Sequence, residues 1–226
     1  MRLELPRKRA LISNRGSAHD HKIPKFRPLE MIMKDFETIL AESVKIHGHV
    51  CAGQVIGVRM SLLALQSIGI EDPKGADRKK LYVLVEIDRC ATDAIQSVTG
   101  CSLGKRSMYW QDFGVMAATF VNLETGKAVR ITAREESRAL ADTYCKGIDN
   151  KYTRQLEAYK VMPVEELFRI EQVQVEIPTE NLPGRPQRRV QCESCRDWVQ
   201  DNRDVEKDGR VLCRGCAYGK YYTVVG

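Results

Sequence analysis

The stretches VQCESC (residues 190–195) and LCRGC (residues 212–216) decide how the C-terminal part of this chain folds. They contain two C-x-x-C pairs that are separated by seventeen residues, and the four cysteines are Cys192, Cys195, Cys213 and Cys216. Each pair offers two thiolates from one tight turn, and Zn²⁺ prefers a tetrahedron of such soft ligands. The spacing therefore predicts one structural zinc ion per chain in a treble-clef or zinc-ribbon module. Two disulfides, or a redox C-x-x-C that occurs twice, are the alternative interpretations.

The rest of the composition bounds the class of protein. The chain has 226 residues, of which 43% are hydrophobic, and this is enough for one sizeable core beside the small module. It contains no apolar run of membrane length, and the opening MRLELPRKRALISNRG lacks the apolar stretch of a secretory signal. We therefore expect a cytoplasmic location and no membrane segment. In a reducing compartment, eight cysteines indicate ligands or reactive thiols rather than disulfides.

The net charge of +6 lies almost entirely at the start of the chain. Residues 1–27 carry eight Lys and Arg against Glu4 and Asp20, so the remaining residues hold 28 basic and 28 acidic side chains. A nucleic-acid-binding module normally has a basic face, which the neutral cysteine-containing segment lacks. We interpret residues 1–27 as a basic arm, and binding of nucleic acid through this arm and Arg185, Arg188 and Arg189 is the least favoured function.

Hydrophobic periodicity divides the rest of the chain. It predicts an α+β core over residues 28–177, in which an antiparallel or mixed sheet packs against helices. Prolines in residues 178–189 predict a linker, and residues 190–226 form the zinc finger. The predicted helices run from residue 28 to the HGHVCAGQ motif, from this motif to Gly69, and over 92–98, 133–146 and 150–161. The predicted strands are 81–87, 115–123, 127–132 and 173–177.

The motif HGHVCAG places His47, His49 and Cys51 directly before the second predicted helix. In an extended segment these three side chains face the same way, and in a helical turn His47 and Cys51 do. A cysteine at a helix N-terminus also has its thiolate stabilised by exposed backbone N–H groups. Such a cluster of soft ligands predicts a functional site, with His49 and Cys51 as ligands of a second metal ion.

A second motif, DRCATDAIQSVTGCSLGK, follows the predicted strand 81–87. Cys90 and Cys101 bracket its short helix, and Lys105 follows them. Functional side chains are frequent at such strand ends. Lone cysteines are also common as small core residues, and we give Cys145 this structural interpretation.

Together the two motifs resemble the family of FmdE, a component of formylmethanofuran dehydrogenase, over roughly residues 30–170. Some members of that family also carry a C-terminal treble-clef zinc finger. The resemblance implies an α+β core, often dimeric, with a cleft lined by both motifs. The chain departs from the family pattern at Ala52, where many members have proline. The residues carried over are His47, His49, Cys51, Gly53, Asp88, Cys90, Asp93, Gln96, Thr99, Cys101 and Lys105.

Within this set we assign two groups. His47, His49, Cys51, Cys90 and Asp93 are the candidates for catalysis. Ligand binding in the cleft is expected of Gly53, Gln96, Thr99, Cys101 and Lys105.

Three functions follow from these observations. The leading one, which the resemblance implies, is a zinc-binding accessory protein of molybdenum or tungsten enzymes in anaerobes, such as those of methanogenesis. Its cleft would bind a transition metal or a small ligand. The chain lacks the cysteine spacing of ferredoxin-type clusters, so it is not the redox component itself. The second is an enzyme that uses a bound metal or a Cys51 thiolate, with Asp93 or a histidine transferring protons. The third, which we favour least, is a regulatory zinc-finger protein that binds nucleic acid through the basic arm and the arginines of the linker. Whether the chain is an enzyme stays open at this stage.

Overall fold

The computed structural model describes residues 9–11 and 29–225. Two compact units are present: residues 11–176 form one, and residues from 177 onward form the other together with residues 9 and 10. The predicted basic arm lies outside the described residues, except for strand β1 (Arg9–Leu11), which pairs with strand β7 (Glu176–Pro178). None of the described helices is long and apolar enough to cross a membrane.

The larger unit is built on a five-stranded sheet with the order β3-β2-β4-β5-β6. Strands β2 and β3 are parallel, whereas β2–β4, β4–β5 and β5–β6 are antiparallel. This mixed sheet with packed helices confirms the α+β class. Its strands are β2 (Leu81–Val85), β3 (Met108–Trp110), β4 (Ala117–Asn122), β5 (Ala128–Ala133) and β6 (Phe168–Gln172).

The helices of this unit end where the local sequence favours a stop. Gly69 and Gly100 close α2 and α3 with φ of 70° and 67°, a left-handed conformation that glycine adopts without strain. Asn150 caps α5, because its side chain accepts hydrogen bonds from the Tyr152 and Thr153 N–H groups. The helices are α1 (Leu29–His47), α2 (Ala52–Ile68), α3 (Cys90–Thr99), α4 (Ser137–Tyr144), α5 (Lys151–Val161) and α6 (Val164–Leu167).

Two strands of the sheet are absent from the pattern-based prediction, and one predicted strand is displaced. Strands β3 and β6 lie at the two edges of the sheet, and β6 (FRIEQ) is largely exposed, so neither has a strong apolar pattern. Residues 173–177 alternate, but the strand there is β7 (Glu176–Pro178) and belongs to the separate pair with β1.

A buried ion pair links neighbouring strands of the sheet near the end of β2. Glu86 is only 5% exposed, and its carboxylate accepts two hydrogen bonds from Arg130, both 2.7 Å long. Arg130 Nη1 also donates to Glu171 (3.0 Å), and the two carboxylates raise the pKa of the Arg130 guanidinium. Such bidentate pairing is geometrically strict, so it ties β2 to β5 and β6.

Helices α2 and α3 approach so closely that two glycines are required between them. A Cβ on Gly57 would lie 2.5 Å from the Ala91 carbonyl oxygen and 2.6 Å from the Ala94 Cβ. A Cβ on Gly53 would lie 2.9 Å from the Cys90 Cβ. Side chains at these positions would force the helices apart. The small residues therefore set the distance between the start of α2 and the start of α3.

The smaller unit contains short hairpins, a 3-10 turn (Thr179–Asn181) and one short α-helix. Strands β8 (Arg189–Gln191) and β9 (Trp198–Gln200) form one antiparallel pair, and β10 (Val205–Lys207) and β11 (Arg210–Leu212) form another. Helix α7 (Arg214–Tyr218) follows directly. The apolar cluster of the smaller unit has three buried members, Cys192, Leu212 and Ala217. So small a core is insufficient for stability without a metal.

We expect Gly57→Val to destabilise the larger unit by about 1–3 kcal/mol, because its side chain would overlap the Ala91 backbone. Urea unfolding monitored by circular dichroism measures this change. The control is Gly104→Ala, since a Cβ at Gly104 meets no atom within 4 Å. Equal stability of the Gly57→Val variant and the wild type would contradict the close-packing account.

Candidate metal and ligand site

The turn between α1 and α2 carries the first set of candidate residues. His47 is the last residue of α1, and Gly48 follows with φ of 96°. Its N–H donates to the Val44 carbonyl (2.7 Å), so the chain leaves the helix at once. Cys51 then occupies the N-cap of α2 in an extended conformation. This turn brings His47 and Cys51 to the same end of two neighbouring helices.

The second motif joins this turn through Cys90, the first residue of α3. His47, Cys51 and Cys90 each place one ligand atom within 4.8 Å of the other two, and Cys51 Sγ lies 4.0 Å from His47 Nε2. All three side chains are partly buried. A tetrahedral transition-metal ion bound by one imidazole and two thiolates needs a cluster of about this size, with metal–ligand distances of about 2.0–2.3 Å. The donor set therefore fits zinc or a neighbouring transition metal and leaves a fourth position for another ligand.

Asp93 holds the imidazole of His47. Its Oδ2 lies 2.8 Å from His47 Nδ1, and the His47 side chain is only 12% exposed. Donation of the Nδ1 proton to the carboxylate leaves the Nε2 lone pair directed toward the cysteines, which is the usual carboxylate–histidine–metal arrangement. Asp93, one of the predicted catalytic residues, is therefore placed as a positioning residue for His47.

The thiol of Cys90 is held in its protonated form in the absence of a cation. Burial raises its pKa, and the neighbouring Cys51 raises the pKa further. Metal binding would have the opposite effect and lower the pKa of this thiol, because a coordinated thiol loses its proton.

His49 does not belong to this three-ligand group, although sequence reasoning pairs it with Cys51 as metal ligands. Its ring lies against that of His47, with centroids 4.5 Å apart and planes inclined by 40°. Gly53, expected to bind the ligand, lies at the α2–α3 contact, where a Cβ would be 3.7 Å from Cys51 Sγ.

Gln54 is a site residue to which sequence reasoning assigns no role. It is fully buried, and its amide donates to the Cys90 carbonyl (2.6 Å) and accepts from the Ser43 hydroxyl. It thereby joins α1, α2 and the start of α3. A glutamine in the first turn of α2, directly before the apolar residues Val55 and Ile56, is the signal that could have identified it.

Four other predicted ligand-binding residues lie toward the opposite end of α3 from Cys90. This helix has ten residues, so its ends are about 15 Å apart. Thr99 donates to the Ile95 carbonyl (2.6 Å), buried Cys101 contacts the Leu81 carbonyl, and Lys105 donates to the Gly100 carbonyl (2.8 Å). These bonds stabilise the end of the helix. The structure brings neither these three residues nor Gln96, which is exposed, to the His47 group.

The four cysteines of the smaller unit form the second cluster of ligands. Cys192, Cys195, Cys213 and Cys216 place their sulfur atoms within 4.8 Å of one another, and Cys195 and Cys213 are 3.7 Å apart. A tetrahedron with Zn–S bonds of about 2.3 Å has sulfur–sulfur distances of about 3.8 Å. The cluster therefore fits a structural zinc ion.

Backbone N–H groups stabilise the thiolate of Cys192 in this cluster. Burial raises the pKa of the Cys192 thiol, but hydrogen bonds from the N–H groups of Cys195, Cys213 and Ser194 outweigh it and lower the pKa to about 6. The N–H of Cys216 also donates to Cys213 Sγ (3.3 Å). Bonds of this kind compensate the charge of a thiolate-bound metal.

The arginines proposed for nucleic-acid binding are partly engaged within the smaller unit. Arg188 pairs with Asp204 at 3.1 Å, and the Arg189 guanidinium lies 4.7 Å from the centre of the Trp198 ring. Arg185 is exposed. These contacts reduce the positive charge that is available to a phosphate backbone.

Residues 46–174, which include His47, Cys51 and Cys90, match the family model described as "FmdE, Molybdenum formylmethanofuran dehydrogenase operon". The chain belongs to the FmdE family. The matched residues exclude the four-cysteine cluster, which therefore lies in an additional module. The expected family is confirmed, and the cluster fits the expected zinc-ribbon type of module.

Two known proteins extend this comparison. A "Probable S-adenosyl-L-methionine-binding protein" from Archaeoglobus fulgidus is 32% identical over 207 residues, which cover 83% of this chain and 54% of that protein. The chain thus spans about half the length of this relative. The crystal structure of a tungsten formylmethanofuran dehydrogenase FmdE-like protein from Syntrophus aciditrophicus has a TM-score of 0.57 and 21% identity. It covers 83% of this chain and 95% of that chain, and shows the shared fold.

We expect Asp93→Asn to weaken metal binding at the His47 group by about 10–100-fold, the usual effect of losing a carboxylate that orients a ligating histidine. Titration with Co²⁺ monitored by visible absorption measures the affinity. Asp149→Asn removes an exposed carboxylate elsewhere in the same unit and is the matched control. Unchanged Co²⁺ affinity in the Asp93→Asn protein would contradict the positioning role.

We expect Cys213→Ser to abolish zinc binding by the smaller unit and to unfold residues 190–225. Residues 11–176 should keep their own cooperative melt, because they have a separate core. Metal analysis and calorimetry measure the two effects. A zinc content equal to that of the wild type in this variant would refute the assignment.

Proposed function

We propose that this FmdE-family chain is a zinc-binding accessory protein of molybdenum or tungsten enzymes whose core binds a second transition metal and a small ligand. The observation that carries the proposal is the convergence of His47, Cys51 and Cys90 within 4.8 Å. Three such ligands, one of them oriented by Asp93, match the donor preference of zinc, nickel or copper. The family description supports the association with these enzymes. The cytoplasmic location expected from cysteine usage belongs to the same proposal.

The chain's own residues divide the work at this site. His47, Cys51 and Cys90 hold the metal, Asp93 keeps the imidazole in the required tautomer, and Gln54 fixes the start of α3 through the Cys90 carbonyl. A metal bound here would polarise a ligand in the fourth coordination position. Partial burial of the three ligands limits the access of water and strengthens electrostatic interactions.

A metal-dependent enzyme is the second candidate function. Catalytic zinc sites use three protein ligands and an open position, whereas structural sites use four. The His47 group has the first arrangement and the four-cysteine cluster has the second. His49, whose ring lies against His47, is the group best placed to move a proton beside the metal. Turnover in a screen of small substrates by the metal-loaded protein would distinguish an enzyme from an accessory protein.

The name of the Archaeoglobus relative adds S-adenosylmethionine as a candidate ligand. The shared sequence covers 83% of this chain. Calorimetric titration of the metal-loaded protein with S-adenosylmethionine tests this candidate, and absence of binding removes it.

Homodimerisation is part of the proposal, since the resemblance to the family suggests it. Three large apolar side chains are exposed: Val50, which precedes Cys51, is 47%, Trp110 44% and Phe113 66% exposed. The segment around Phe113 is tied to the end of β2 by the hydrogen bond from the Gln111 N–H to the Val85 carbonyl (2.8 Å). Burial of these side chains in a dimer interface would remove apolar surface from water. A monomer mass in light scattering would contradict dimerisation.

We expect two metal ions per chain in protein purified without oxygen or chelator, and one in a Cys90→Ser variant. In the wild type, alkylation of Cys51 should be slow until a chelator is added, because coordination masks the thiolate. Mass spectrometry after timed iodoacetamide treatment measures this rate. Cys101, which is 2% exposed, is the internal control and should react slowly throughout. One metal per chain and fast alkylation of Cys51 without chelator would refute the second metal site.

A further inference from the structure

A cavity of about 150 Å³ lies beside the candidate metal site. The first turn of α2 forms one wall, and α4, α5 and the end of β5 form the others. Gly53 belongs to this wall and also contacts Cys90 in the α2–α3 interface. Its polar lining consists of Arg134, Glu135, Ser137, Arg138, Gln155 and Tyr159.

Gln155 has an unsatisfied amide at this cavity. The residue is only 8% exposed, and its Nε2 has no hydrogen-bond partner in the described part of the chain. A buried donor without a partner destabilises a protein by about 1–3 kcal/mol. Such a donor is available to an acceptor from outside the chain, either a water molecule or a ligand.

The N-terminus of α2 adds a second feature that favours an anion. This helix has 17 residues, no capping side chain bonds its first turn, and that turn contains no acidic residue. The first N–H groups of a helix have no partner within the helix and carry a partial positive charge. Ala52 and Gly53, whose N–H groups are among these, line the cavity.

The charged side chains at the rim of the cavity also favour an anion. Arg134 and Arg138 supply two positive charges against one negative charge from Glu135, which leaves a net charge of +1. Arg134 donates through Nε to the Phe168 carbonyl (3.1 Å), and Arg138 through Nε to Glu135 (3.0 Å). A guanidinium has five N–H donors, so these bonds leave others for a ligand.

We propose that this cavity binds the carboxylate of a small organic molecule whose other end reaches the His47–Cys51–Cys90 group. The second half of this statement rests on the proposed metal site, and the first half stands on the cavity alone. A volume of about 150 Å³ is below the roughly 300–1,000 Å³ of pockets for drug-sized ligands, so the ligand is small. Gly53 lines the cavity, and a Cβ at Gly53 would be only 3.7 Å from Cys51 Sγ, so the cavity and the His47–Cys51–Cys90 group are close enough for one small molecule.

A larger groove of about 480 Å³ does not have these properties. It shares Glu135, Arg138 and Gln155 with the cavity, but its remaining charges are paired on the surface, as in the 2.7 Å contact between Arg154 and Asp142. Its lining contains no residue of α2, the helix that begins beside the His47 group.

The Gln155→Leu variant tests the cavity without any metal. Leucine has a similar size but no polar atom, so the variant should melt about 2–4 °C above the wild type, because the unsatisfied donor is gone. The same variant should lose the rise in melting temperature that acetate gives the metal-free wild type at constant ionic strength. A destabilised variant that still responds to acetate would contradict the proposal, and so would a larger response of the wild type to phosphate than to acetate.

The second test uses zinc-loaded full-length protein with Co²⁺ in the core and compares mercaptoacetate with 2-mercaptoethanol. Both offer a thiol to the metal, but only mercaptoacetate has a carboxylate. Visible absorption should show about tenfold or tighter binding of mercaptoacetate, because a hydrogen bond to a charged group contributes about 1.5–3 kcal/mol. Arg138→Gln should remove most of this preference, whereas Arg78→Gln, an exposed arginine in a turn, should keep it.

The two tests separate the two proposals. Failure of the core to take up Co²⁺ would overturn the metal site, while the response of the metal-free protein to acetate would still decide the carboxylate site. Equal affinities for the two thiols in the Co²⁺-loaded wild type would overturn the proposed bridging ligand.

Discussion

The close contact between α2 and α3 is the constraint on which the candidate site depends. At Gly57 there is no room for a Cβ beside the Ala91 carbonyl, and at Gly53 there is little room beside Cys90. Gln54 lies on the same stretch of α2 and bonds the Cys90 carbonyl. Glycines allow the backbones to approach, and a buried hydrogen bond fixes their register. Cys51 and Cys90, which are distant in sequence, meet because of this packing.

The two clusters of ligands differ in the number of ligands and in the size of the apolar core around them. The four cysteines around Cys192 complete a tetrahedron and lie in a unit whose apolar core is too small to be stable alone. His47, Cys51 and Cys90 form an incomplete set inside a unit with an extensive core of its own. The apolar core of the larger unit is large enough to stabilise a fold without a metal. An incomplete set of ligands in such a unit is better explained by a role in binding or chemistry.

The sequence predicts local features of this chain better than contacts between distant segments. Periodicity and glycine stops give most helices, and the C-x-x-C spacing gives the cysteine cluster, because these signals are short in range. The edge strands β3 and β6 are missed, since short or exposed strands have little apolar pattern. The choice of His47 rather than His49 depends on Asp93, which lies on another helix. The Glu86–Arg130 pair is likewise invisible until the strands are aligned.

The state of the Cys90 thiol favours a metal ligand over a free nucleophile at this position. Burial and the nearby Cys51 raise the pKa of the Cys90 thiol, so this sulfur is uncharged at neutral pH unless a cation compensates it. A nucleophilic cysteine needs the opposite environment, with its pKa lowered by a positive neighbour. Asp93 takes the Nδ1 side of His47 and leaves Nε2 facing Cys51. One imidazole nitrogen and two thiols that ionise together around a cation are the donor set of a transition-metal site.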